Sequence, residues 1–393
     1  MKNNPAPQMI THEELKEKLQ HCAEQLSRDR KGGILIIAEG AVRWLTGMRH
    51  QVTDIAADAA SPVNVLARMV PGGFDLTFVA AHTELPRLKD RIPEVFRGQG
   101  NVELQFTDVL PRIDRTIAVP RQRTYSRILG TIVRPIIGGF EGNQFSKLKW
   151  LSASSTAALV ESARQIHTGM NGFEVRNIAQ QNLGRRGIET NLILVALKGQ
   201  EGHFHPLYEE CYSVADDCWV KLVCGARYSE LIVSASVMVK FGAAPTEEEN
   251  LRYRALQEAT IEYADCYREG MSDAQIYGEI YRRFQDVGER FGLGDFADSA
   301  YAHHLGGPTS PLGNRDYLIM KGGANSVFPW MQFAINPVEV RTKVKVEVQG
   351  IAMPGAAPFI LDNSLYTPAG SAGFTGITTR NGTRGKVIDI IQR

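Results

Sequence analysis

The spacing of apolar positions divides the chain into two stretches of different character. Thr11, followed three residues later by Glu14, reads as a capping box, and the apolar positions behind it predict a helix running to about Asp29. Gly32-Gly33 then opens the short apolar run Ile34-Leu35-Ile36-Ile37-Ala38, closed by Glu39-Gly40, which is the pattern of a buried strand. A second strand-like run covers 74–80, a helix is predicted near 85–92, and another strand near 102–106. Strands alternating with helices predict an α/β layer with a largely parallel sheet. The Gly- and Pro-bearing stretch 128–142 reads as the tail of this unit and a linker.

Beyond it the order changes. Two helical patterns, about 153–168 and 173–186, precede strand-like stretches near 189–198, 211–214, 217–224 and 228–241. Two helices follow, each with a capping box: Thr246 with Glu249, and Ser272 with Gln275. Strands return near 299–304, 330–336 and 340–351. Helix pair, sheet, helix pair, sheet predicts an α+β unit, with helices covering a mostly antiparallel sheet, built as an internal duplication. The expected division is a smaller α/β domain over 1–148 and a larger α+β domain over 149–393.

Composition narrows the function. Across 393 residues there are 44 Lys and Arg against 43 Asp and Glu, a net charge of +1, which excludes a basic nucleic-acid footprint as the dominant feature. No apolar run approaches the roughly 18 residues of a membrane span. The start lacks an apolar signal core, and five cysteines are too few and too odd for a disulfide framework, so a cytoplasmic protein is expected. The spacing of Cys211, Cys218 and Cys224 is not that of a zinc ribbon. Phosphate-cradling glycine loops and the G-x-S-x-G elbow are absent. No cofactor is expected; the anticipated partner is a small-molecule substrate, with no nucleic acid and no membrane.

Four segments carry candidate chemistry. Tyr301 to Asp316 places His303 and His304 ahead of a Gly/Pro loop that ends at Arg315. It reads as a site or as a surface loop with capping histidines. In Glu201 to Glu210, His203 and His205 share one face of any extended stretch, and neutral imidazole suits general acid/base work; a solvated loop is the alternative. From Val340 onward, apolar residues alternate with Arg341, Lys343, Lys345, Glu347 and Gln349, giving one polar face that points to water or to a pocket. From Tyr228, one strand face would carry Tyr228, Glu230, Ile232, Ser234 and Ser236.

These residues resemble the pita-bread proteins: creatinase, prolidase, aminopeptidase P and methionine aminopeptidase. Val42-Arg43-Trp44-Leu45-Thr46-Gly47 is similar to the N-x-x-Y-L-T-G stretch of the creatinase-type N-terminal domain. His304-Leu305-Gly306-Gly307 and its preceding His303 are similar to the H-x-x-G segment, and Phe333 to Pro337 to the [FS]-x-x-E-P segment. The strand that usually reads D-x-G-x-x-Y corresponds to the segment around Cys224-Gly225. The resemblance covers essentially the whole chain. It implies a pita-bread C-terminal domain behind a creatinase-like N-terminal domain.

Dinuclear relatives hold two metal ions with two Asp, one His and two Glu. By the resemblance, the first Asp falls on Val223, or on Cys224 if the register slips, and the second near Ser234. The His is His303, the Glu of the E-P segment is Asn336, and the last Glu is Lys345, with Glu347 two residues on. Hard dications need anionic oxygen, so no dinuclear site is expected. Creatinase works without metal, using a His as general acid/base. The resemblance therefore implies a metal-independent enzyme that cleaves a C–N bond, by hydrolysis or elimination, in a small polar, carboxylate-bearing molecule. His205 or His203 would move the proton, and His303 and His304 would orient the substrate. Lys343 and Lys345 would bind its carboxylate. Glu230 or Glu347 would hold a cationic end, Arg315 would clamp an anion, and Tyr228 and Asn336 would complete the lining. Two rivals stand beside this reading: a catalytically silent pita-bread binding protein, and a metallopeptidase with altered ligands. Creatinase-like proteins are usually homodimers, in which Arg43, Arg49 or His50 would reach the partner's site.

Overall fold

The structure, a computed structural model, describes residues 10–47, 60–82, 85–133, 136–200, 212–264, 266–299, 303–304, 317–318, 327, 329–335, 337–361, 374–378 and 384–393. The first unit contains α1 (His12–Arg28), β1 (Gly33–Ala38), α2 (Glu39–Thr46), β2 (Ala60–Val70), β3 (Gly73–Ala80), α3 (Leu85–Val95), β4 (Val102–Thr107), β5 (Ile117–Ala118) and α4 (Arg123–Val133). The Thr11 hydroxyl caps α1 by accepting the Glu14 backbone N–H at 3.2 Å.

The sheet order is β4-β3-β2-β1-β5. The β1/β5 and β3/β4 pairs are parallel, but β2 is antiparallel to both neighbours, so the sheet is mixed and not largely parallel. The reason is a tight reversal at Pro71-Gly72, where Gly72 takes φ +84°, a conformation open to glycine. Asn64 and Arg68 break the apolar run of β2, which hid this central strand from the pattern. The supposed linker is also partly helical. Tyr125, Ile128, Leu129 and Ile132 lie at helical spacing along α4 and enter the first core. Gly130 interrupts that pattern in the sequence.

The second unit contains α5 (Asn143–Gln165), α6 (Gly172–Gly184), β6 (Glu189–Ala196), β7 (Cys218–Tyr228), β8 (Leu231–Phe241), α7 (Glu247–Ala264), α8 (Asp273–Phe291), β9 (His303–His304), β10 (Tyr317–Leu318), β11 (Gln332–Ile335), β12 (Val348–Ile351), β13 (Phe359–Ile360), β14 (Phe374–Thr378), β15 (Arg384–Ile388) and β16 (Ile391–Gln392). One sheet runs β16-β8-β7-β6, a second β10-β9-β11-β12-β13, and β14 pairs with β15. Among the described residues of this unit every strand pairing is antiparallel except β16 with β8. Helices α5 and α6 cover the outer face of β6–β8, and α7 and α8 cover the outer face of the second sheet. The two remaining sheet faces turn toward each other. This is the predicted α+β architecture.

Ile132 packs in the first core and Ile136 in the second, and α5 is continuous through residue 148, so a cut at 148/149 falls inside a helix of the second unit. Helix α5 begins ten residues ahead of the predicted start because Gln144 and Lys147, polar in the sequence, are buried against carboxylates. Among the described residues no helix is long and apolar enough to cross a membrane.

Candidate functional site

Strand pairing decides what faces the space between the sheets. Cys218, Val220, Leu222, Cys224, Ala226 and Tyr228 of β7 point into the core beneath α5 and α6. The opposite face of β7 therefore carries Lys221, Val223, Gly225 and Arg227. Across the hairpin, Val223 pairs with Ser236 and Gly225 with Ser234, so both serines share that face. Cys224 is turned away from it, and burial pushes its thiol pKa far up. Of these two residues it is Val223, not Cys224, that lies on the face carrying Ser234 and Ser236.

Tyr228 also leaves the face. The predicted alternation ran through 228–241 unbroken, but the chain reverses at Ser229-Glu230, with Ser229 at φ +55°. Tyr228 belongs to β7, on the core side, where its ring packs against Trp150 at 4.7 Å between centroids.

The facing layer comes from residues 344–349. Val344, Val346 and Val348 enter the core under α7 and α8, which turns Lys345, Glu347 and Gln349 toward β8. At one end, the Gln349 side-chain amide donates to the Ser234 carbonyl. At the other, Thr342 and Lys343 line a small cavity with Lys221 and Met238. Lys345 and Glu347 lie between these anchors, as Ser236 does on the facing strand. The Lys345 ammonium is 3.6 Å from Glu347 Oε2, and the two side chains are 8% and 2% exposed. Both Glu347 oxygens, Gln349 Oε1 and Ser236 Oγ have no hydrogen-bond partner among the described residues.

The polar strand begins later than predicted. Residues 340–343 form a turn around Glu339, whose carboxylate accepts the N–H groups of Arg341 at 2.9 Å and Thr342 at 2.6 Å, and Arg252 Nη1 at 2.7 Å. Lys343 sits in that turn at φ +60° and donates to the Val340 carbonyl, so it is a half-buried turn residue at the rim of the face.

The paired strands bring one histidine position to the face. Residue 303 pairs with Ala334, and Ala334 with Gln349; directly opposed residues share a side of the sheet. Residue 304 falls on the other side. His203, His205, Arg315 and Asn336, with Arg49 and His50, lie outside the described residues.

Glu230 is committed elsewhere. Its carboxylate accepts from Lys147 Nζ at 2.7 Å and Gln144 Nε2 at 2.8 Å, and Lys18 Nζ lies at 3.6 Å. Glu14 closes the cluster, 2.7 Å from Lys18 and 3.1 Å from Lys147, and all four charged side chains are buried. Burial raises the Glu230 pKa, but Lys147 and Lys18 outweigh it and hold the group down at about 2. The Glu230 carboxylate thus ties the β7–β8 turn to α1 and α5. The cationic end it holds belongs to the chain itself, which removes it from the proposed substrate contacts. Arg43 is likewise buried, bonded to Glu39 and to Glu189 of β6 at 2.8 Å, so it braces the two units and is not free to reach a partner.

The sequence reading missed this cluster, although Glu14 and Lys18 stand at ion-pair spacing on one helix face. It also missed Lys221, for which the sequence offers no signal beyond strand alternation, and the Arg252–Glu339 pair.

The donor set does not fit two adjacent dications. The face presents the hydrocarbon of Val223, the hydroxyls of Ser234 and Ser236, one amide and one carboxylate, with an ammonium 3.6 Å from that carboxylate. Two hard dications side by side require several anionic oxygens between them. Among the described residues no three His, Cys, Asp or Glu side chains are grouped to hold a metal ion.

This two-layer arrangement of helix-backed sheets defines a known class. Residues 148–358, more than half of the chain, match Metallopeptidase family M24, and the chain belongs to that family. Solved structures share the fold across both units. An Xaa-Pro dipeptidase from Bacillus anthracis superposes with a TM-score of 0.62 at 13% identity, covering 90% of this chain and 99% of that one. The prolidase from Pyrococcus furiosus gives 0.58 at 12% identity, with 86% and 98% covered. Zn-substituted aminopeptidase P from E. coli gives 0.61 at 11% identity, with 90% and 96% covered. No curated protein matches the sequence.

Proposed function

We propose that this M24 protein cleaves a C–N bond in a small polar, carboxylate-bearing molecule without a metal ion, with histidine as general acid/base. The observation that carries the proposal is the Glu347 side chain, 2% exposed, with neither oxygen hydrogen-bonded among the described residues. A buried carboxylate without donors is costly, and such groups collect where a ligand completes the bonding. Glu347, with Gln349 Oε1 beside it, accepts N–H groups of the substrate. The Lys345 ammonium offers the positive charge for its carboxylate. Position 303 supplies an imidazole from the same sheet face, and His203 or His205 moves the proton to the departing nitrogen. Whether water or an internal proton completes the cleavage separates hydrolysis from elimination.

The test uses chelator-dialysed protein and follows amine or ammonia release from a panel of N-acyl, N-carbamoyl and guanidino acids. Turnover is expected to survive chelation and to fall on the order of 10²-fold in Glu347→Gln. His205→Ala should abolish it while circular dichroism stays unchanged. Activity that appears only with added Mn²⁺ or Co²⁺ would overturn the proposal in favour of a metallopeptidase with altered ligands. A ligand that binds and is never turned over would overturn it in favour of a binding protein.

A further inference from the structure

The Lys345–Glu347 pair has unusual geometry for a buried ion pair. At 3.6 Å the contact is too long to be a hydrogen bond, so the attraction is Coulombic and the carboxylate lone pairs remain open. The neighbouring acceptor is aimed by the structure: Gln349 Nε2 is engaged at the Ser234 carbonyl, which leaves Oε1 as the unbonded end of the amide. Ser236, a residue 9% exposed whose Oγ is buried, is likewise without a hydrogen-bond partner among the described residues. Four oxygens and one ammonium thus share a dry seam between the sheets. Lys343, the next cation along the row, is spent on the Val340 carbonyl.

We propose that the Lys345 ammonium is a built-in counter-cation to Glu347, standing 3.6 Å from a cation site whose oxygens would be those of Glu347, Gln349 Oε1 and Ser236 Oγ. While Lys345 is present the site excludes free metal, because a dication would meet a like charge at contact range in a poorly solvated space. Removing that ammonium opens the same oxygens to a hard dication completed by water, or to a small alkylammonium ion. A member of a metallopeptidase family thereby carries its cation covalently. The inference uses the same face as the proposed chemistry but none of its readouts requires turnover, so the two fail independently.

Full-length wild-type protein, Lys345→Met, Glu347→Gln and the double variant decide it, with Mn²⁺ binding followed by calorimetry and electron paramagnetic resonance and the thermal midpoint measured with and without Mn²⁺ or ethylammonium. Wild-type protein should show no saturable Mn²⁺ binding up to about 1 mM, the weak end of oxygen-ligand sites. Lys345→Met should lose several degrees of midpoint, bind about one Mn²⁺, and regain midpoint with Mn²⁺ or ethylammonium. The double variant should lose the binding and recover midpoint, since no uncompensated charge is left inside. If Lys345→Met does not fold, Glu347→Gln serves: its orphaned ammonium should make the midpoint rise with acetate and ignore Mn²⁺. Mn²⁺ binding by wild-type protein that Glu347→Gln abolishes overturns the inference. So does a folded Lys345→Met protein indifferent to cations, or a Glu347→Gln protein indifferent to acetate.

Discussion

Replacing Glu230 by Gln keeps the shape of the side chain and removes one charge from the buried cluster of Glu14, Lys18, Lys147 and Glu230. The cluster then carries a net positive charge with no water to screen it. Two routes give the size of the effect. The Glu230 pKa is held at about 2 against an ordinary glutamate value of about 4.3. At 1.36 kcal/mol per pKa unit, that difference is worth about 3 kcal/mol at neutral pH. Removing one partner of a buried ion pair costs about 3–5 kcal/mol in other proteins. The expected loss is therefore about 3 kcal/mol, a large part of the 5–15 kcal/mol by which proteins are stable. Urea unfolding followed by tryptophan fluorescence reads it, since Trp44 and Trp150 are buried on either side of the junction. The pH dependence has a definite sign. Because the folded pKa lies below the unfolded one, the contribution is present above about pH 4.3 and is lost as pH falls toward 2. Glu230→Gln should lack that acid-linked loss. Pairing it with Lys147→Met should recover part of the stability, because the second substitution removes the charge left unpaired. An unfolding free energy at pH 7 within about 0.5 kcal/mol of wild type, or a double variant no more stable than the single one, refutes the reasoning.

Two further outcomes follow from packing. A Cβ on Gly350 would lie 2.3 Å from Phe333 Cζ and 2.8 Å from the Phe359 carbonyl, so Gly350→Ala should destabilise the protein by about 1–3 kcal/mol in the same urea assay and disturb the strand that presents Gln349. Burial pushes the Cys22 thiol up to about 12 and Cys224 still further, so mass-spectrometric mapping at pH 8 should find both unalkylated by iodoacetamide in the native protein and modified once it is unfolded.

Much of the fold was legible because periodicity and capping are local. The α1 cap at Thr11, the boxes at Thr246 and Ser272, and the apolar alternation of Val344, Val346 and Val348 all register within a few residues. Strand β2, helix α4 and the start of α5 each carry a residue whose local preference speaks against the element: Arg68 in a central strand, Gly130 in a helix, Lys147 on a buried face. No window of sequence contains the Glu14 and Glu230 that make a buried Lys147 tolerable.

The candidate site divides in the same way. Alternation alone put Lys345, Glu347 and Gln349 on one polar face. Tertiary structure decided that this face is covered by β8, that Tyr228 and Glu230 look away from it, and that Glu347 is left without hydrogen bonds among the described residues. A strand's pattern specifies which side chains share a side, because the backbone alternates every residue. It carries no information about what that side meets, because the partner layer arrives from more than a hundred residues away and brings the dielectric and the counter-charges with it.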